Sequence, residues 1–326
     1  MSIPFYRPRR LRMNGFLREA VAETQVFKHN LMLPLFVADN DKPEPIGAMP
    51  GVSQHSIQSL CDEIEGLVEK GLRSYILFGV PPKKDPKAAG ATDPDGIVPR
   101  AIRAVRERVG KEAFIATDVC LCSYTDTGHC GVIENEDVAN DPSVELLALT
   151  ALAHAQAGAD MVAPSDMMDG RVQRIRETLD EHSLSHIPLM SYAVKYASAL
   201  YGPFRHAADS APQFGDRRGY QMDFRNRREA VREALLDAEE GADILMVKPG
   251  LAYLDILSDL REATELPLAA YQVSGEYSMI RFAAQADAID EAKVVRELWT
   301  SFRRAGAQII LTYHAAEAVR QGWLDG

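Results

Sequence analysis

Eight short apolar runs recur along the chain, and each is bounded by turn residues. Between them lie longer segments with the three- to four-residue spacing of amphipathic helices. Strands that alternate with helices form right-handed βαβ units and therefore a parallel sheet. The predicted strands are residues 31–38, 74–80, 114–119, 161–164, 189–194, 244–248, 268–273 and 308–312.

Several predicted helices end in a glycine that leads directly into the next strand, as at Gly158 and Gly241. Glycine adopts the left-handed conformation that ends a helix at little cost. Near-continuous apolar strands, such as residues 244–247, are typical of strands covered on both faces. Eight such units, with no G-x-G-x-x-G after the first strand, favour a closed barrel over an open dinucleotide-binding sheet. We predict an α/β protein with a single (β/α)8 TIM-type barrel over residues 31–326, preceded by an N-terminal arm of residues 1–30.

The predicted arm is rich in arginine, although the whole chain has a net charge of −11. It is either a solvated extension or a segment that wraps an acidic neighbouring subunit. The acidic surface disfavours nucleic acid and anionic membranes as partners, because it repels phosphate. No apolar run reaches the length of a membrane span or a signal peptide, so we expect a cytoplasmic protein.

Three of the four cysteines fall within eleven residues at the end of the third strand: Cys120, Cys122 and Cys130. Residues two apart in an extended strand face the same side, and a glycine-containing loop can return Cys130 to the other two. Three thiolates with an open fourth position are typical of a catalytic Zn²⁺ site. His129 is a possible fourth ligand, but its adjacency to Cys130 makes simultaneous ligation awkward. The alternative is three buried cysteines without a metal.

Two lysines stand at the ends of apolar strands, Lys195 on the fifth and Lys248 on the sixth. Lysine is rarely buried unless its amine has a partner or a chemical role. Desolvation and a nearby second ammonium both lower the pKa of a lysine, which makes its amine nucleophilic near neutral pH. Such an amine attacks a ketone to form a Schiff base.

A polar loop of roughly 20 residues, 201–220, follows the first of these lysines and is long enough to act as a lid. Arg205 and Arg217 in this loop suit bidentate contact with carboxylates, and the alternative is a pair of solvated surface arginines. Ser274 and Tyr313, after the seventh and eighth strands, offer hydrogen bonds to an anion. Three further polar residues, after the third and fourth strands, are candidates for orienting ligands or relaying protons: Asp118, Ser165 and Asp169.

Four segments, in this order along the chain, resemble the porphobilinogen synthase family, also called 5-aminolevulinate dehydratase. They are Met190-Ser-Tyr-Ala-Val-Lys195, Tyr201-Gly-Pro-Phe-Arg205, Met246-Val-Lys-Pro249 and Tyr271-Gln-Val-Ser-Gly-Glu-Tyr277. The resemblance implies a (β/α)8 barrel with an N-terminal arm and a homo-octamer of arm-embracing dimers. It also implies the condensation of two 5-aminolevulinate molecules into porphobilinogen, with loss of two waters.

The resemblance assigns roles to individual residues. Lys195 and Lys248 match the two Schiff-base lysines, of which Lys248 holds the substrate whose amino group stays free. The residues that match carboxylate contacts are Arg205 and Arg217 for the Lys195 substrate, and Ser274 and Tyr313 for the Lys248 substrate.

Two metal sites are implied as well. The three cysteines match the zinc-dependent branch of the family. Glu233 matches an allosteric Mg²⁺ position, although a helical glutamate beside arginines is usually an ion-pair partner.

Two other functions fit the same residues. A Schiff-base aldolase would use Lys248 alone and need no metal. A non-catalytic barrel would hold a structural zinc and bind a small anion beneath its lid.

Overall fold

The computed structural model describes residues 6–325 and contains a closed barrel of eight parallel strands. Each strand pairs with its neighbour in the chain, and β8 pairs with β1. Between β4 and β5 the closure is an isolated bridge, Val162 with Leu189. The strands are β1 (Leu31–Ala38), β2 (Ser74–Val80), β3 (Phe114–Val119), β4 (Met161–Pro164), β5 (Met190–Lys195), β6 (Ile244–Lys248), β7 (Leu268–Gln272) and β8 (Ala307–Thr312). The predicted (β/α)8 fold is confirmed, and no predicted strand end is displaced by more than one residue.

Helices cover the outside of the barrel. At the two glycines predicted to end helices, φ is +105° at Gly158 and +106° at Gly241, so both adopt the left-handed conformation. The helices are α1 (Gly15–Ala20), α2 (Ile57–Glu69), α3 (Ile97–Val109), α4 (Asn140–Gln156), α5 (Arg171–Glu181), α6 (Gly202–Ala207), α7 (Arg228–Glu239), α8 (Leu254–Ala263), α9 (Ser274–Gln285), α10 (Glu291–Ala305) and α11 (Ala315–Arg320). The short elements are the 3₁₀ turns Pro8–Arg12, Lys28–Asn30, Ala89–Ala91, Ala199–Tyr201 and Leu251–Tyr253, and the strands Glu44–Pro45, Ser53–His55, Ile133–Glu134 and Asp137–Val138.

Two apolar layers stabilise this arrangement. Alternate strand residues point to opposite faces, so one set fills the barrel and the other packs beneath the helices. Large side chains fill the interior and close it below the mouth. The interior set includes Met32, Phe36, Ile76, Phe78, Met161, Met190, Tyr192, Met246, Tyr271, Leu311 and Tyr313.

Strand β5 contains one extra residue relative to β6. The register moves from Leu245 opposite Ser191 to Val247 opposite Val194, which is two steps along β6 and three along β5. In a regular strand Ser191 and Lys195, four residues apart, would share a face. The extra residue reverses the alternation, as a β-bulge does, and turns Lys195 into the barrel mouth.

The segment before the barrel packs little against its own chain. Neither α1 nor the turn Pro8–Arg12 contains a buried residue, and Tyr6 and Phe16 are 97% and 90% exposed. Residues 1–5 of the predicted arm, and Gly326 at the end of the predicted barrel, lie outside the described residues. Among residues 6–325, no helix has both the length and the apolar character needed to cross a membrane.

Candidate active site

Side chains from the strand ends and from the polar loop converge at the mouth of the barrel. The free space among them is about 20 Å³, enough for roughly one water molecule. The loop therefore has to move before any larger molecule enters, as expected of a lid. The lining residues are Phe78, Asp118, Cys122, Ser165, Lys195, Tyr201, Phe204, Arg205, Arg217 and Lys248.

The two lysines lie side by side in this cavity. Lys195 and Lys248 are register partners on β5 and β6, and they are 4% and 5% exposed. The Lys195 amine donates a hydrogen bond to the carbonyl of Ser165. The Lys248 amine is surrounded by four aromatic rings whose centroids lie at 4.4 Å (Tyr271), 4.9 Å (Tyr192), 5.1 Å (Phe204) and 5.4 Å (Tyr201).

The surroundings of Lys248 favour its neutral amine. Burial, followed by the charge of Lys195, lowers the pKa of Lys248 to about 7, while the Asp118 carboxylate acts in the opposite direction. An amine with this pKa is about half neutral at neutral pH, so it can attack a carbonyl without first losing a proton to strong base.

Asp118 interacts electrostatically with both lysines and with Cys130. Burial raises the pKa of its carboxyl group, although the charges of Lys248 and Lys195 oppose the change. The hydroxyl of Tyr192 faces this carboxylate, and burial together with their interaction raises the pKa of Tyr192. Neither the Tyr192 hydroxyl nor Oδ1 of Asp118 has a hydrogen bond of good geometry among residues 6–325, so a ligand in the cavity can compete for both groups.

The three predicted cysteines form one cluster. Their sulfur atoms all lie within 4.8 Å of one another, and all three side chains are buried. The loop returns Cys130 to the cluster partly because the Thr125 hydroxyl donates to the carbonyl of His129 at 2.8 Å. Within the described part of the chain, no other group of three or more Cys, His, Asp or Glu side chains is this compact. This triangle of sulfur donors fits Zn²⁺, and Cys122 also lines the lysine cavity.

The two arginines of the lid reach the cavity in different ways. Arg217 is 5% exposed and donates to the carbonyls of Gly128 at 2.8 Å and Ser210 at 2.6 Å. The Nε atom of Arg205 is buried and has no partner among the described residues. Because each guanidinium has five donors, both retain N–H groups for a carboxylate.

Ser274 and Tyr313 lie behind the cavity wall rather than in it. The Ser274 hydroxyl accepts a hydrogen bond from the backbone N–H of Phe204 at 2.9 Å. The Tyr313 hydroxyl shares one with that of Tyr271 at 2.9 Å. Ser274 would meet a ligand only after the segment around Phe204 moves, and Tyr313 lines a neighbouring cavity of about 210 Å³ instead.

Asp169 and Glu233 do not join the lysines. Both line a separate cavity of about 410 Å³, to which α7 contributes Glu229 and Glu233. Burial raises the pKa of Glu233, Arg232 opposes the change, and the nearby Asp169 adds to it. The same cavity is lined by the lid residues Arg218 and Tyr220 but by neither active-site lysine.

One buried residue at this edge was missed by the sequence reasoning. Glu276 is fully buried, and its carboxylate accepts the backbone N–H groups of Leu251 at 2.8 Å and Val273 at 2.7 Å. It thereby joins the turn after Lys248 to the start of α9. An acidic residue three positions into a helix is a capping signal that could have indicated part of this role.

Comparison with known proteins places the chain among close relatives. The family model for delta-aminolevulinic acid dehydratase matches residues 5–321. The chain is 53% identical over 327 residues to the delta-aminolevulinic acid dehydratase of Synechocystis sp., covering 99% of each. It is 50% identical over 325 residues to that of Bacillus subtilis, again covering 99% of each. The Toxoplasma gondii delta-aminolevulinic acid dehydratase, solved with its reaction product porphobilinogen, superposes with a TM-score of 0.95 at 45% identity over 98% of this chain and 92% of that one.

Proposed function

Because this chain belongs to the delta-aminolevulinic acid dehydratase family, we propose that it condenses two molecules of 5-aminolevulinate into porphobilinogen, an early step of tetrapyrrole biosynthesis. The observation that carries the proposal is the pair of buried lysines in one cavity, Lys195 and Lys248. The reaction joins two ketones, and two adjacent amines can hold two ketones in reacting geometry. Such positioning replaces a bimolecular encounter with an effectively unimolecular step.

Each lysine forms one imine. The nitrogen lone pair attacks the ketone carbon, the carbonyl oxygen leaves as water, and the new carbon–nitrogen bond ties the substrate to its strand. Lys248 holds the substrate whose amino group stays free, and Lys195 holds the one that supplies the propionate side. Asp118 lies beside both amines with a raised pKa, so its carboxyl group can accept or return protons as the imines form. Ser165 orients the Lys195 amine through its carbonyl.

The metal of this proposal is Zn²⁺ held by Cys120, Cys122 and Cys130. Membership of the family supports a metal-dependent enzyme, and the three-sulfur cluster favours zinc over magnesium, which prefers oxygen ligands. When bound, zinc would polarise a substrate oxygen or activate water. The nearby Arg217 guanidinium offsets the negative charge of the thiolates, which in turn raise the pKa of Arg217 against the opposing effect of burial.

The carboxylates of the two substrates have separate partners. Arg205 and Arg217 bind that of the Lys195 substrate, because both retain unused donors at the cavity. Ser274 and Tyr313 bind that of the Lys248 substrate once the lid and Phe204 open. Two positive contacts on one side and two hydroxyls on the other let the site distinguish two identical molecules.

The proposal includes a second metal site, which is separate from the cysteine cluster. Glu233 and Asp169 offer two carboxylates to a Mg²⁺ ion that keeps most of its water ligands, which suits a regulatory ion. Loss of Mg²⁺ stimulation in Glu233→Ala, with basal turnover retained, tests this site.

The exposed apolar side chains of residues 6–27 favour a homo-oligomer in which the arm covers a neighbouring copy. The octamer of arm-embracing dimers in this proposal comes from the family resemblance. The four free cysteines fit a reducing, cytoplasmic location.

Incubation of the zinc-loaded protein with 5-aminolevulinate tests the function itself. We expect consumption of two substrate molecules for each porphobilinogen released. Retro-aldol cleavage of a hydroxyketone without metal would favour the aldolase alternative. Tight zinc retention without imine formation would favour the non-catalytic barrel.

A further inference from the structure

His129, which precedes a zinc-cluster cysteine, is bonded to the lid through both ring nitrogens. Its Nδ1 atom lies 3.1 Å from the hydroxyl of Tyr220, and its Nε2 atom lies 3.0 Å from the carbonyl oxygen of Phe214. The same Tyr220 hydroxyl accepts the backbone N–H of Cys130 at 3.3 Å. The ring also packs against Phe214 in a tilted arrangement, with centroids 4.8 Å apart.

Both ring nitrogens of His129 are occupied by these bonds. A carbonyl oxygen only accepts, so Nε2–H of His129 donates to Phe214. The Tyr220 hydroxyl bonds to the other ring nitrogen, Nδ1, and also accepts the backbone N–H of Cys130. Both ring nitrogens are therefore engaged by the lid, so His129 does not belong to the cysteine cluster.

Further contacts join the same two segments. The backbone N–H of Gln213 donates to the carbonyl of Thr127 at 2.9 Å. Arg217 donates to the carbonyl of Gly128. Gly128 has φ of +71°, and a Cβ atom there would lie 2.4 Å from the carbonyl oxygen of Ala211. The lid thus lies directly on the loop that returns Cys130, at a separation only glycine permits.

We propose that His129 is a positioning residue that couples metal binding by the three cysteines to closure of the lid. This inference rests on the proposed metal site. A metal bound to Cys130 fixes the backbone of residues 129 and 130. The relay through His129 and Tyr220 then holds the lid in place, with Arg217 over the substrate. Without the ring, the metal remains bound but no longer orders the lid.

Hydrogen–deuterium exchange of the full-length protein tests this coupling without substrate. We compare lid peptides covering residues 205–222 before and after loading with Zn²⁺. In the parent we expect zinc to slow exchange by about ten-fold, the effect of one or two net hydrogen bonds. In His129→Ala and in Tyr220→Phe we expect less than about two-fold slowing, with unchanged zinc stoichiometry. His182→Ala is the matched control, because His182 lies at the end of α5 and bonds only locally to Thr178.

A partial rescue separates this role from a general loss of structure. In His129→Asn the side-chain amide lies near the Nδ1 position and can bond to the Tyr220 hydroxyl in either direction but cannot reach Phe214, so we expect intermediate slowing. In turnover, His129→Ala should raise KM several-fold more than it lowers kcat. Loss of zinc from His129→Ala, or lid protection equal to that of the parent, would overturn the proposal. The exchange measurement remains informative even if the protein makes no porphobilinogen.

Discussion

Lys195 and Lys248 are register partners on adjacent parallel strands and share one cavity, although a regular strand would turn Lys195 toward the helices. The single extra residue in β5 brings the two amines to the same side. Because the strands lie side by side and the site is buried, each charge acts on the other with little screening by solvent. The fold thus places a second cation beside the amine that has to be neutral.

The pH dependence of imine formation follows from this pairing. With 5-aminolevulinate and borohydride, the trapping rate at Lys248 should rise with pH and reach half its maximum near pH 7, because its pKa is lowered to about 7. Lys195→Gln removes one cause of that lowering and should shift the midpoint upward. Lys195→Arg keeps the charge and serves as the control. Equal midpoints in all three proteins would show that the neighbouring charge has no effect.

The same pairing affects stability. At pH values between about 7 and 10.5, the folded protein binds fewer protons at Lys248 than the unfolded chain does. This residue therefore contributes stability that increases as pH rises through that window.

Removal of one cluster sulfur should abolish metal binding and activity. Cys122→Ala leaves two thiolates, too few for a tight three-sulfur site. We expect loss of zinc and a fall in turnover of about 100-fold or more, because mutation of groups that only support metal ligands already costs about 10–100-fold. Cys61→Ala is the control, because Cys61 lies on α2 and is absent from the cluster. Zinc content by elemental analysis distinguishes the two variants. A zinc-free Cys122→Ala protein with full turnover would refute the role of the metal.

Much of this site follows from sequence, and the exceptions have physical causes. Apolar runs and glycine caps predicted all eight strands, since they report local burial and backbone conformation. The spacing of Cys120 and Cys122 predicted a shared face, and their sulfur atoms cluster with that of Cys130. The bulge that turns Lys195 inward depends on pairing with β6 and has no local signal in β5. The contact between His129 and Tyr220 joins residues that are 91 positions apart in the sequence. Sequence patterns report local structure, so they do not predict a contact at this separation.

The carboxylate of Glu276 should be important for stability. It is buried and accepts backbone N–H groups from two separate turns. Glu276→Gln replaces one acceptor with an N–H₂ group that faces a donor, so we expect a loss of about 1–3 kcal/mol in the free energy of unfolding. Urea denaturation measures this loss, and the exposed Glu265 provides Glu265→Gln as a control. A change below about 0.5 kcal/mol would mean that water satisfies these donors.

Deletion of the arm should reduce the size of the assembly. Residues up to 24 can be removed without touching Asn30, whose side chain donates to the carbonyl of Gln308 at 3.0 Å and joins the arm's end to the barrel. We expect the protein lacking residues 1–24 to have a smaller mass by light scattering than the full chain. A five-residue deletion that keeps α1 is the control. An unchanged mass after the longer deletion would place the subunit contact elsewhere.

The central claim is that two lysines hold the two substrates, and site-resolved trapping tests it most directly. The zinc-loaded protein is mixed with 5-aminolevulinate, reduced with borohydride and digested for peptide mass spectrometry. Lys248→Arg keeps a long basic side chain but replaces the nucleophilic amine with a guanidinium that stays protonated, so turnover should be lost while the protein folds. We expect the parent to gain reduced adducts at Lys195 and Lys248 alone, and Lys248→Arg to lose the adduct at that position. Adducts at neither lysine, or full turnover in Lys248→Arg, would contradict the account.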